Sequence, residues 1–407
     1  MMLLASIFTS CQFGDDVETQ LSRYDNKVRQ LDFAVTASRD MSGSSDTRTT
    51  LTDNGLDGVD ALWEANDQMA LLDFGQVFTT DYNAQTLKSP YAICMTSTGN
   101  GGETQVGFEA SARAVISINP DYEYHFALLY PYKAFRTYTT DASTVELDFS
   151  GQDGSLDLIA ESYQYAWGYT KAKVGDKEIT LTDAISDCAN SHDHSGCAEG
   201  ELIMDNKMAL MRVHLNYTVT AADITKGYTS QAEGTTMTLN EYLESQNLEV
   251  SEIVVENIVY TDDGGSTVTV PNIQTAELDL ATGVTTEGTG SSITLNPVKV
   301  VEVSESDRLT SDDVNVWGTV FYLAVPCPTV HKLDFHPFIT VRTKDKTSGA
   351  SGQQTFFGQL SRKTLTEGKY YITGRLCLST DAKKLNAETD IFLYYPSSFV
   401  WSNIPLN

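Results

Sequence analysis

The densest set of chemistry-bearing side chains lies in DAISDCANSHDHSGCAEGE, residues 183–201, where Cys188, His192, His194 and Cys197 are spaced Cys-x3-His-x-His-x2-Cys. Thiolate and imidazole are both zinc ligands, so such a set could close around a tetrahedral metal ion. The spacing matches none of the common structural zinc sites, and the two cysteines close a short step in a polar loop. A Cys188–Cys197 disulfide is therefore the expected state, with zinc and free thiols as the alternatives, and no metal or other cofactor is assigned. Cys94, Cys327 and Cys377 lie in apolar, strand-like context and read as buried thiols. Enzyme signatures are missing: there is no His-Glu-x-x-His, no Gly-x-Ser-x-Gly and no phosphate-cradling glycine loop, and the 6 histidines are dispersed. Any glycosidase-like pair picked from 55 acidic residues would be arbitrary. No catalytic residue is assigned and the chain is not expected to be an enzyme. The acidic run Thr261–Gly265 lacks the ordered aspartate spacing of a calcium loop and reads as a solvated hairpin turn.

A different chemistry, lipidation, is suggested at the start, MMLLASIFTSCQFGDD. Residues 1–8 fall short of the roughly 20 apolar residues that span a bilayer, so the stretch reads as an export signal, residues 1–10. Phe8, Thr9 and Ser10 place small residues directly before Cys11, as in the lipobox of bacterial lipoproteins, which makes Cys11 the lipidation candidate. The acidic pair Asp15-Asp16 resembles a signal for the outer face of the outer membrane; the alternative is that Asp15, Asp16 and Glu18 are merely soluble, and in either case 11–30 reads as a tether.

Composition narrows the partners. With 55 acidic against 27 basic residues the formal charge is −28, which repels nucleic-acid phosphates and anionic headgroups, so no nucleic acid is expected. The charge is scattered, and 41% of residues are hydrophobic, with 20 Tyr and 16 Phe, so the acidity belongs to a folded surface and not to a disordered tail. Trp63, Trp167, Trp317 and Trp401 are expected in cores.

Strand-period alternation dominates. In KMALMRVHLNYTV, Ala209, Met211, Val213, Leu215, Tyr217 and Val219 share one face while Arg212, His214, Asn216 and Thr218 lie on the other, which predicts a half-buried strand. EYHFALLYPY, GSTVTV, SSITL, GTVFYLAV, FITVRT and KYYITGRLCL read as further strands between turn residues. Helical spacing is confined to SLDLIAESYQYAW and TLNEYLESQNL. Many short strands and few helices predict an all-β chain of antiparallel sandwiches. The polar loop over 183–201 is the expected boundary between sandwiches at 31–185 and 200–407.

Several segments resemble fimbrillin-family lipoproteins. These are TRTTL followed by ALWEANDQMALLDFG, HFALLYP, LDFSGQDGSLDLIAESY and MDNKMALMRVHLNYTV, in that order. Lys207 and Met208 stand where the family often carries a histidine, and His214 is out of phase with that pattern. The resemblance implies two tandem transthyretin-like β-sandwich domains and a subunit of a type V fimbria, exported as a surface lipoprotein. It also implies assembly by donor-strand exchange, in which a protease cuts after an arginine and a neighbour's strand replaces an N-terminal one. The implied partners are other fimbrial subunits, in a homo- or hetero-polymer, the outer membrane through the lipid, and a host or bacterial surface ligand. The alternative is a non-polymerising surface lipoprotein, either a fimbrial anchor or an adhesin for glycan or host protein.

Candidates for each role are present. RQLDFAVTAS puts Leu31, Phe33, Val35 and Ala37 on one face, which suits a displaced strand. Arg48, then Arg39, are the candidate cleavage sites; Arg48 reads equally as a plain surface arginine. Val400, Ile404 and Leu406 alternate in the C-terminal segment as a candidate donor strand, or as the last strand of their own domain.

Overall fold

A computed structural model of the chain describes residues 29–394 with the exception of 33, 39–49, 77–92, 104, 111–114, 119–122, 138–143, 175–178, 185–201, 263, 312–313, 329–331 and 386. Within these residues the alternating segments form strands wherever Gly, Asn, Asp or Pro bounds them, and helix is limited to short turns. The chain is all-β, in several largely antiparallel sheets.

The first group of strands runs β1 (Arg29–Asp32), β2 (Ala34–Ser38), β3 (Thr50–Asp53), β4 (Val59–Leu62), β5 (Gln68–Gln76), β6 (Ile93–Ser97), β7 (Gln105–Ala110), β8 (Val115–Ile118) and β9 (Glu123–Tyr130). There follow β10 (Thr144–Asp148), a helical turn α1 (Leu156–Leu158) continued by the π-helical Ile159–Tyr163, then β11 (Ala166–Val174), β12 (Ile179–Ala184), β13 (Leu202–Ile203) and β14 (Asp205–Asn206). Their main sheet has the order β12-β11-β9-β5-β6-β7-β2-β13, and β14 returns to pair with β11. The short segment 202–206 therefore straps one side of this sheet to the other.

Next come β15 (Met208–Thr218), α2 (Ala221–Lys226), β16 (Thr236–Thr238), α3 (Leu239–Glu244), β17 (Leu248–Asn257), and the β18–β19 hairpin (Tyr260–Thr261, Thr267–Val268). Its turn is held by the Asp262 carboxylate, which accepts from the Gly264 and Ser266 amides at 3.0 and 2.8 Å. The remaining strands are β20 (Thr275–Asp279), β21 (Thr285–Glu287), β22 (Ser292–Leu295), β23 (Val301–Val303), the minor pair β24–β25 (Leu309–Thr310, Asn315–Val316), β26 (Gly318–Pro326), β27 (Lys332–Phe335), β28 (Pro337–Asp345), β29 (Ser351–Gln359), β30 (Lys363–Thr366), β31 (Tyr370–Leu378) and β32 (Ile391–Tyr394). Two sheets, β23-β26-β15-β31-β32 and β22-β17-β28-β29, make a sandwich. Its core is closed by Val213, Leu215, Phe321, Val255, Ile339 and Phe356, all at most 1% exposed. α3 starts in a capping box, with Thr238 and Glu241 satisfying each other's backbone amides, and lays Tyr242 in a stack on Tyr217 at 4.1 Å.

The expectation for β15 was half right. Its register with β26 and β31 is regular, but Met208 to Tyr217 are buried on both faces, with Arg212 4% exposed and His214 and Asn216 0%. Alternation tells which residues share a face, not whether a second layer covers it. The cover on the polar face includes the β3–β4 hairpin from the first group of strands. The two groups also share a sheet, since β10 pairs with β20 over residues 144–148 and 275–279.

Candidate functional site

The predicted displaced strand lies in the first sheet. β2 runs antiparallel to β7, with Val35 opposite Phe108 and Ala37 opposite Val106. Phe108 and Val106, the residues opposite them in register, are 0% and 5% exposed. Phe108 in turn packs edge-on against the buried Trp63 ring at 4.8 Å. One step earlier β1 pairs with β8, setting Leu31 opposite Ile116; Phe33 lies outside the described residues. On its other edge, among the described residues, β2 meets the two residues of β13, in parallel, Ala37 with Leu202 and Ser38 with Ile203. A strand held by backbone bonds and one apolar face can be replaced by any segment that offers the same two things.

The Trp-Glu-x-x-Asp turn beside this slot has a plain mechanical role. Asp67 accepts from the Glu64 amide at 2.8 Å and from the Tyr130 hydroxyl at 3.1 Å, while the Ser97 hydroxyl donates to the Glu64 carbonyl. The turn thus ties the end of β4 to β6 and β9.

A polar seam joins the first group of strands to the second. At its centre Asp53, at the end of β3, receives Arg212 Nη1 at 2.6 Å, the Tyr370 hydroxyl at 3.1 Å, the Gly55 amide at 2.8 Å and the Tyr322 hydroxyl. Burial, and then the Asp53 anion, push both phenols up, so they stay protonated donors. Gln152 is bonded at both ends of its amide to Ala324, donating to the carbonyl and accepting from the amide at 2.8 Å each. Trp167 donates to the Leu280 carbonyl at 3.0 Å. Its ring lies against Gly283, where a Cβ would come within 2.4 Å of the indole and where φ is +68°, so glycine is required on both counts. Lys207, fully buried, places its ammonium 3.4 Å from Glu367 and 5.3 Å from the Trp167 ring centre, and Thr285 donates to the same Glu367 carboxylate at 2.8 Å.

The remaining sequence candidates fall elsewhere. Cys11, Arg39, Arg48, Cys188, Cys197, Val400, Trp401, Ile404 and Leu406 lie outside the described residues. Cys94, Cys327 and Cys377 form no disulfide among the described residues; Cys327 is buried, and burial pushes its pKa well up, whereas the other two are partly exposed. Trp63, Trp167 and Trp317 are all buried. Among the described residues no cluster of three or more His, Cys, Asp or Glu side chains is arranged to hold a metal, and no helix is long and apolar enough to cross a membrane. Sequence reasoning missed Asp53, Arg212, Lys207, Glu367 and Gln152. The one signal was the presence of Lys207, Arg212 and His214 in a strand whose partner, GTVFYLAV, is apolar on both faces.

No family model matches the chain, and no curated protein matches it. Among solved structures it is similar to a provisionally assigned cell adhesion protein from Bacteroides ovatus, at 9% identity and a TM-score of 0.42, over 86% of this chain and 96% of that one. It is also similar to the tip fimbrial protein Mfa3 of Porphyromonas gingivalis, at 8% identity, TM-score 0.31, and 90% and 98% coverage. The fimbrial anchor protein Mfa2 of the same organism stands at 9%, 0.29, and 90% and 99%.

Proposed function

We propose that this chain is a structural or adhesive subunit of a type V fimbria, exported as an outer-membrane lipoprotein through Cys11 and assembled by protease-triggered donor-strand exchange. The observation that carries the reading is the seating of β1 and β2. A segment of alternating apolar residues near the chain's start fills a place in the first sheet, in register with Phe108 and Val106, and among the described residues its outer edge carries the two residues of β13. Its removal would uncover the inner face near Trp63 and leave the β7 backbone groups unpaired, a combination that draws in another strand. Arg39 and Arg48 follow directly and supply the cut. The division into units at 31–185 and 200–407 belongs to the same reading. So do a surface location and other fimbrial subunits as partners.

The donor in this reading is the C-terminal segment bearing Val400, Ile404 and Leu406. Deleting residues 396–407 is expected to leave a folded protein that loses its N-terminal segment to trypsin yet forms no ladder of detergent-resistant oligomers. A deletion variant that still polymerises would remove the donor assignment.

A further inference from the structure

The chain between residues 29 and 62 is held by two different parts of the molecule. Among the described residues β1 and β2 pair with β8, β7 and β13, all in the first group of strands. The β3–β4 hairpin that follows is held at two ends: β4 runs into the turn tied to β6 and β9, while Asp53, at the end of β3, is fastened elsewhere. Its Asp53 carboxylate is 11% exposed and is met by Arg212 from β15, Tyr322 from β26 and Tyr370 from β31. Those three strands are adjacent in one sheet of the second group. β3 also packs on α1 and on the π-helical turn, which sit against the same seam. Asp53 is the ion-pair partner of Arg212, whose Nε makes no hydrogen bond. A buried cation in that position has every reason to keep its carboxylate.

We propose that Asp53 is a positioning residue, a pin that holds the chain from residue 50 onward to β15, β26 and β31, so that a cut between residues 39 and 49 frees only what precedes it. The proposal rests on the exchange reading above and sharpens it. The pin keeps the chain from residue 50 onward folded in place after the cut, and so keeps the newly made terminus from sliding back into the slot and competing with an incoming strand. This follows from fastening β3, through Asp53, outside the sheet that holds β2.

The test uses the full chain and the variants Arg212→Met and Arg212→Lys, before and after brief trypsin treatment, with amide hydrogen exchange followed by mass spectrometry. In the parent protein the amides of 50–62 are expected to exchange equally slowly before and after the cut. In Arg212→Met their exchange rises by about tenfold or more in both states while that of 208–218 stays put, the mark of a local opening and not of global unfolding. Arg212→Lys restores protection by returning a cation to Asp53. Should Arg212→Met fail to fold, Tyr370→Phe removes one donor and is expected to raise exchange at 50–62 by a smaller factor in the same direction. The pin is overturned if 50–62 loses protection in the parent protein on cutting, or if neither variant changes it. The exchange reading is judged on different peptides: it fails if 29–38 keeps full protection after the cut.

Discussion

His214 ties the stability of the second group of strands to pH. The ring is 0% exposed at the middle of β15; its Nδ1 donates to the Thr373 carbonyl at 3.1 Å, and its Nε2 meets no partner. Burial, and then the neighbouring Arg212 cation, lower its pKa from 6.5 to about 3, against a smaller upward pull from the Thr373 bond. The unfolded chain binds this proton below about pH 6.5, while the folded chain refuses it until near pH 3. Stability from this group is therefore complete above pH 6.5 and is lost as pH falls through the window from about 6.5 to about 3. Between pH 7 and pH 5 the loss comes to about 2 kcal/mol. Urea unfolding followed by the fluorescence of the buried Trp63, Trp167 and Trp317 gives the stability at each pH. The comparison is with His214→Gln, which keeps an N–H for Thr373 and does not titrate. The parent protein should lose about 2 kcal/mol more than the variant over that interval. Parallel curves for the two proteins would refute the assignment of the buried neutral imidazole.

Three other perturbations probe the seam and the loop. Lys207→Met takes the cation from the buried Glu367 carboxylate and should cost about 3–5 kcal/mol in chemical unfolding, whereas Lys207→Met with Glu367→Gln should recover most of it. Gln152→Leu removes both Ala324 bonds and leaves a buried amide without its acceptor, so the same assay should show a loss of about 2–3 kcal/mol; no loss would mean that the joint is not held there. For the cysteines, denatured protein with a lipidated Cys11 should react at Cys94, Cys327 and Cys377 at once and at two further thiols only after reduction. Prompt reaction of all five, or release of the extra two by a chelator together with zinc, would replace the Cys188–Cys197 disulfide.

Much of the fold was legible because period-2 alternation needs only neighbours to be read. EYHFALLY, GTVFYLAV and KYYITGRLCL became β9, β26 and β31, and Leu239, Tyr242 and Leu243 marked α3. Leu31, Val35 and Ala37, read as strand residues, fall in β1 and β2. The polar seam was not legible. Arg212 and His214 look like solvent-facing positions until Asp53 and Thr373, each 159 residues away in sequence, are known to cover them. β13 and β14 have two residues each, too few to show any period, so the strap that seats the outer edge of β2 carried no local signal.

In the proposed assembly the segment ending near residue 48 is cut away to open the slot for another subunit. The most direct measurement is the N-terminal residue of the protein isolated from its native outer membrane, read by mass spectrometry. A terminus at Thr49 or Asp40 is the predicted result. A chain that begins only at lipidated Cys11 would contradict strand exchange by this subunit and leave an anchor or a non-polymerising surface binder in its place.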